Sequence, residues 1–223
     1  MAAGMLAALA LAGCDSDALG RHYPPYRYRL TAIVETPEGV RTGSSVIEVR
    51  WTEAGSAFGI QSGAGFSVKG EAVAVDLPGG QTLFVLLRSA GNSDWAAWAL
   101  QDVVPNLKDP RGADRQPHPV PRRVEVLREQ VDNYPLFVRF RNLAVPKSVE
   151  AVDPDDLSTT FGAGYRLKSL TVQMTGDPVT TGIEQRLNWL ENLRGPLDGR
   201  NLMYPDADLS NQIASGDFRK GMQ

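Results

Sequence analysis

The stretch Tyr26-Arg27-Tyr28-Arg29-Leu30-Thr31-Ala32-Ile33-Val34-Glu35-Thr36 decides the fold class. Tyr26, Tyr28, Leu30, Ala32 and Val34 recur at every second position. Arg27, Arg29, Thr31 and Glu35 fill the alternate positions, with Ile33 the exception. Successive side chains of an extended strand point to opposite faces, so the pattern predicts a strand with one buried and one wet face. Pro37-Glu38-Gly39 then marks a turn. Val46–Thr52 repeats the alternation, with Ile47, Val49 and Trp51 on one face and Glu48 and Arg50 on the other. A short connection between two alternating strands implies antiparallel pairing, because parallel strands need a long crossover.

Outward from this pair the signals stay β-rich. Residues 54–65 are dominated by Gly, Ala and Ser and read as a loop. Phe66–Leu77 reads as a strand with a bulge at Gly70. Pro78-Gly79-Gly80-Gln81 is a tight turn, and Thr82–Leu87 is almost wholly apolar, the mark of a central strand covered on both faces. Leu136–Arg141 and Tyr165–Thr175 are further strands, while Val124–Val131 reads equally as helix or strand. Residues 105–121 contain five prolines and are expected as a long surface loop.

Helical signals are fewer. Ser93 or Asp94 would cap a short helix over Trp95–Val104, ending before Pro105. Asp153 would cap another, with Pro154 in the first helical position and Gly162 as the stop. The clearest pattern is Ile183–Arg194: Thr181 and Glu184 make a capping box, and Ile183, Leu187, Leu190 and Leu193 recur at helical spacing. The expected fold over residues 26–196 is therefore α+β and β-rich, an antiparallel sheet with one or two packed helices. The alternative is a β-sandwich with peripheral helices. Residues 197–223 are sparsely apolar and are expected as a C-terminal extension, wrapping the surface or disordered.

The composition agrees with a globular chain: 223 residues, 42% hydrophobic, 22% charged, formal net charge −3. Collagen-like and broadly disordered chains are excluded. Near-neutral charge also argues against a nucleic-acid partner held by a whole-surface positive field.

Residues 2–13 are all Ala, Gly, Leu or Met. That run is too short to span a bilayer core of ~30 Å and suits the apolar region of a signal peptide. It ends in Leu11-Ala12-Gly13-Cys14, followed by the polar Asp15-Ser16-Asp17. This resembles the lipobox of bacterial lipoproteins. The resemblance implies that residues 1–13 are a signal peptide cleaved before Cys14, that Cys14 carries the lipid, and that residues 14–25 are a lipidated tether. The chain would then sit in the cell envelope, anchored in the membrane and facing the periplasm. The choice between inner and outer membrane stays open, although Asp15 resembles the inner-membrane retention signal of some Gram-negative bacteria. One departure is that no basic residue precedes Arg21, and a start upstream of this Met would restore a basic region. The alternative is an apolar N-terminal helix packed on the domain, with Cys14 a buried thiol. Cys14 is the only cysteine, so no intramolecular disulfide can form.

No motif points to a reaction. The two histidines, His22 and His118, lie in the tether and in the proline-rich loop, and no Gly-x-Ser-x-Gly elbow occurs. Zinc lacks a set of three or four ligands. Asp153, Asp155 and Asp156 read as helix-capping acids rather than a calcium loop, and Asp206 and Asp208 as solvated. Gly59, Gly63 and Gly65 match neither the dinucleotide fingerprint nor a phosphate loop. No catalytic residue, metal or cofactor is therefore expected. The leading functional expectation is a binding or structural module that meets the membrane through its anchor and an envelope protein as partner. The other is a periplasmic hydrolase with an unrecognised site using His118.

Two surface features invite partners. Arg27 and Arg29, like Arg139 and Arg141, are two residues apart and share a strand face. If the two strands were neighbours, the four guanidiniums would form a basic stripe for anionic headgroups or an acidic partner. The plainer reading is a solvated face with Glu35 and Glu48 as cross-strand partners. Trp95 and Trp98, three apart, read either as an aromatic binding surface or as a cover for the core.

Overall fold

The computed structural model describes residues 24–52, 55–57, 60–62, 65–104, 115–122, 124–126, 129–201 and 208–221. The lipobox residues Leu11, Ala12, Gly13 and Cys14 lie outside the described residues, as do His22, Gly59, Gly63 and Asp206.

The alternation in residues 26–36 becomes β1 (Tyr26–Thr36), which switches between buried and half-buried at every residue. It pairs antiparallel with β2 (Gly39–Thr52), which begins straight after the Pro37-Glu38 turn and so is longer than the expected Val46–Thr52. Residues 54–65, expected as a loop, contain two short strands instead: β3 (Gly55–Ala57) and β4 (Ile60–Ser62). They keep the register of β2 with β5 (Gly65–Glu71): Thr52 faces Gly65 and Gly55 faces Ser62. Small residues do not prevent strand pairing when a twisted hairpin already sets the register.

The expected strand Phe66–Leu77 reads through Gly70 and breaks at Ala72. Its second half is β6 (Val73–Leu77), which belongs to a different sheet. The turn at Gly79 and Gly80, both at positive φ, returns the chain into β7 (Gln81–Ser89), apolar and buried on both faces as its sequence predicts. Next come β8 (His118–Pro119), β9 (Val124–Val126), β10 (Glu129–Val131), β11 (Pro135–Phe140), β12 (Val149–Val152), β13 (Arg166–Thr175) and β14 (Arg219–Lys220). The ambiguous stretch Val124–Val131 is thus a two-stranded hairpin. Part of the proline-rich loop also pairs, His118 opposite Val172 and Pro119 opposite Thr171 at a sheet edge, where proline is tolerated.

Two antiparallel sheets result. One has the order β14-β5-β2-β1-β13-β8 and the other β12-β11-β7-β6. Tyr28, Leu30, Val34, Ile47, Val85, Leu87 and Phe137 meet in the core between them. The far face of the four-stranded sheet is covered too. Phe84, Leu86, Val138 and Phe140 pack there against Ile183, Leu187, Leu190, Ile213 and Phe218. The architecture is β-rich α+β in three layers, with three short helices among the described residues.

The helices depart most from expectation. α1 covers Trp95–Trp98 only, and its N-cap Asp94 makes no side-chain cap bond. α2 runs over Leu157–Phe161. Its cap is Asp156, which accepts from the Thr159 N–H, whereas Asp153 accepts from the Asp155 N–H in a local turn. Gly162 stops it, as expected. The helix expected over Ile183–Arg194 is two 3-10 turns, Ile183–Gln185 and Asn188–Glu191, and Leu187 between them leaves helical geometry at φ −118 and ψ 72. No capping box forms, because Gly182 is the N-cap. The Ile183 N–H is held instead by Glu71, and the Trp189 indole N–H by the Leu143 carbonyl. These tertiary bonds and the burial of Ile183, Leu187 and Leu190 override the helical spacing. Residues 208–221 cover the second sheet and add a strand to the edge of the first. α3 (Leu209–Gln212) is capped by Asp208, β14 joins the edge of β5, and the Ala72 N–H donates to the Phe218 carbonyl at 2.8 Å.

Candidate functional site

The four arginines do not form one stripe. β1 lies in the six-stranded sheet and β11 in the four-stranded one, so Arg27 and Arg29 are on a different sheet from Arg139 and Arg141. Each guanidinium is engaged locally. Arg27 donates to its cross-strand neighbour Glu48 at 2.8 Å. Arg29 donates to Asp177 at 2.6 Å. Hydrogen bonds from Thr175 and Arg29 hold the Asp177 carboxyl below its usual value. Glu35, opposite Arg166 rather than the β1 arginines, pairs with Arg166 and Lys168.

Arg139 donates to Glu150 at 2.8 Å and to the Thr160 carbonyl at 2.9 Å, with its Cζ 5.6 Å from the Phe161 ring centroid. Arg141 shares Glu150 and is 69% exposed. Arg139 and Arg141 line an open polar cavity of about 580 Å³ with Gly79, Gly80, Gln81 and Asn142. One carboxylate, Glu150, pairs with both guanidiniums there, and the outer edge of Arg141 is left to meet an anion.

The tryptophan pair divides between both readings. Trp95 is fully buried in the core, whereas Trp98 is 37% exposed. Trp98 meets Trp51 edge to face, centroids 4.6 Å apart, and Trp51 meets Phe66 at 5.3 Å. Phe66 is itself 36% exposed. Trp51 and Phe66 are directly paired across β2 and β5, so the register places the rings side by side on one face. α1 then lays Trp98 against them. Sequence alternation identifies Trp51 as facing the core side, but Phe66 carried no signal of its own. A cross-strand partner becomes visible only when the register is known.

This cluster sits at one end of the sandwich. Pro24 and Pro25 enter β1 there, and the Trp51 indole N–H donates to the Tyr26 hydroxyl at 3.2 Å. Arg50 and Lys69 are exposed on the other face of β2 and β5, and exposed Arg115 lies beside Pro24, Pro25 and Tyr26. The opposite end, at the β1–β2 turn, is ionic: Arg41 pairs with Glu38, and Arg166 and Lys168 pair with Glu35. The molecule thus has an aromatic end and a charged end.

A polar chain runs behind α1. The Ser89 hydroxyl donates to Asn133 at 3.2 Å, and the Asn133 amide donates to Asp102 at 3.2 Å. Burial raises the Asp102 carboxyl, against the Asn133 hydrogen bond. Asn133 has no proton to exchange, so this chain orders residues 89–102 and cannot activate the serine. His118 lies on β8 in the row of Val172, Leu30 and Ser45. That row puts Ser45 three strand spacings away, roughly 14 Å.

Among the described residues, no group of three or more His, Cys, Asp or Glu is placed to hold a metal ion. Among them also, no helix is long and apolar enough to cross a membrane. No protein-family model matches the chain, and neither a curated protein nor a solved structure does.

Proposed function

We propose that this chain is a lipid-anchored protein of a Gram-negative cell envelope, held through Cys14 and facing the periplasm. Its β-rich domain acts there as a non-catalytic binding or structural module. The observation that carries this reading is Leu11-Ala12-Gly13-Cys14. The only cysteine of the chain follows an uncharged apolar run and two small residues, and precedes a polar segment. β1 begins at Tyr26, so the polar segment has the place of a tether between anchor and domain. Exposed Phe66 and Trp98, packed on half-buried Trp51, give the module an apolar contact surface of the kind that soluble surfaces reserve for interaction. Metabolic labelling with a fatty-acid analogue tests the anchor. Wild type takes up the label and Cys14→Ala does not, whereas equal labelling of the two overturns the reading.

A further inference from the structure

Three exposed or half-exposed rings on a small domain need an occupant, and their position constrains it. Trp51 is bonded to Tyr26, the first residue of β1, so the cluster lies where the chain enters the domain. Eleven residues, 15–25, separate Cys14 from Tyr26. A coil of that length spans ~20 Å on average, and at most ~40 Å fully extended. A lipid on Cys14 therefore keeps this end of the sandwich close to the bilayer and turns the ionic end, with Glu38, Arg41 and Arg166, away from it.

The chemistry at the near end matches a headgroup layer. Tryptophan rings, with an apolar body and a polar edge, concentrate at the membrane–water boundary. The exposed side chains at this end are cationic: Arg50 and Lys69 project from the other face of β2 and β5, and Arg115 lies beside Pro24, Pro25 and Tyr26. Long basic side chains lay their stems on apolar surface and send their charge to phosphate. Among the described residues, Glu48 pairs with Arg27, Asp177 with Arg29 and Asp94 with Lys220, and Asp102 accepts from Asn133. We propose that Trp51, Phe66 and Trp98 form a membrane-interface contact that seats the anchored end of the domain on an anionic phospholipid bilayer. This rests on the lipid-anchor reading of Cys14.

The test uses the full chain produced in a Gram-negative host, with the mass of its N-terminal peptide recording the lipid on Cys14. The purified protein is placed in phosphatidylethanolamine–phosphatidylglycerol vesicles whose acyl chains carry bromine near the headgroup. Bromine quenches only indoles that it touches. Trp95 is fully buried and Trp189 packs behind the second sheet, so quenching reports Trp51 and Trp98.

Wild type is expected to be quenched, and Phe66→Gln/Trp98→Gln to lose the quenching while keeping the lipid. The double variant Arg50→Glu/Arg115→Glu leaves all rings in place. It should lose quenching on these vesicles but not on pure phosphatidylcholine. Lipidated wild type that is not quenched overturns the contact and leaves the anchor standing. A peptide without lipid overturns the anchor. The contact then stands if the same vesicles still quench the chain through Phe66 and Trp98, and falls if they do not. A dimer in detergent that Phe66→Gln/Trp98→Gln converts to monomer, with no quenching in vesicles, assigns the rings to a second copy and overturns the proposal.

Discussion

The indole N–H of Trp51 donates to the Tyr26 hydroxyl at 3.2 Å, and that hydroxyl donates onward to the Ala97 carbonyl at 3.4 Å. One phenol thereby ties β1, β2 and α1 together under the aromatic cluster. Tyr26→Phe keeps the ring and removes both bonds. The Trp51 N–H then loses its acceptor in a half-buried place. A cost of about 1–2 kcal/mol is expected, read as a lower urea midpoint at unchanged slope. An unmoved midpoint would mean that ring packing alone holds Trp51.

Two buried phenols make the domain sensitive to alkali. Burial pushes Tyr26 up to about 12, with the Trp51 N–H holding it back. Burial, and then the neighbouring Tyr26 and Asp102, push Tyr28 well above its usual value. In the unfolded chain a phenol titrates near 10. Both folded values are raised, so the stabilisation is fully present below about pH 10 and is lost as pH rises through the folded values. Stability should fall above about pH 10, by up to about 1.4 kcal/mol per pH unit for each phenol. Urea unfolding across that range measures the slope. Tyr28→Phe should make it shallower, and an unchanged slope would contradict the assignment to Tyr28.

Gly43 is where β2 passes closest to β6. A Cβ there would overlap the carbonyl oxygen of Ala74, which is backbone and cannot swing aside. The two sheets must separate locally to admit even a methyl group. Gly43→Ala is expected to cost about 3 kcal/mol, the upper end for overpacking. A thermal or urea midpoint near that of wild type would show that the corner between the sheets is looser than it looks.

Much of this fold is legible because its strands alternate. β1 starts and ends where the alternation of Tyr26, Tyr28, Leu30, Ala32 and Val34 predicts, since one face meets the core and a slip of one residue would expose all five. β7 is legible for the opposite reason, being apolar on both faces and covered on both. Spacing fails at Ile183–Arg194. Residues three and four apart share a face in 3-10 turns nearly as well as in an α-helix, so Ile183, Leu187 and Leu190 are buried in either form. What selects the turns is Glu71 and Leu143, far away in sequence. The aromatic cluster is illegible for the same reason. Trp51 and Phe66 become neighbours through strand register, and Trp98 joins them from a third element.

Phe218 tests whether the C-terminal stretch belongs to the fold. It is fully buried and stands edge-on to Phe84 at 5.9 Å and to Trp189 at 5.7 Å, with Phe140 at 5.6 Å. Phe218→Ala should cost about 3–5 kcal/mol, like other deletions of a buried ring. The accompanying loss of near-ultraviolet circular dichroism from the surrounding rings would locate the damage. A loss below about 1 kcal/mol would instead mark the stretch as a dispensable wrap.

Glu71 separates the value of an acceptor from the value of a charge. Its carboxylate is buried and accepts the Ile183 N–H at 3.0 Å, which is the tie that starts the covering layer. Burial raises its pKa. The Ile183 N–H opposes this, Glu184 adds to it, and Arg219 works against it. A folded value above the unfolded one means that the contribution is fully present below the unfolded pKa of about 4.3, and is lost as pH rises through the folded value. At neutral pH the protein therefore carries the cost of a buried carboxylate in order to keep an acceptor.

Glu71→Gln keeps an oxygen for Ile183 and discards the charge. It should match or exceed wild-type stability at neutral pH, with the difference shrinking as pH falls below the unfolded value. Glu71→Ala removes the acceptor and leaves buried N–H groups unpaired, so it should cost about 1–3 kcal/mol at every pH. Urea unfolding of the three proteins at acid and neutral pH distinguishes these outcomes. If Glu71→Gln falls as far as Glu71→Ala at neutral pH, the charge itself is needed, and Arg219 is the group that needs it.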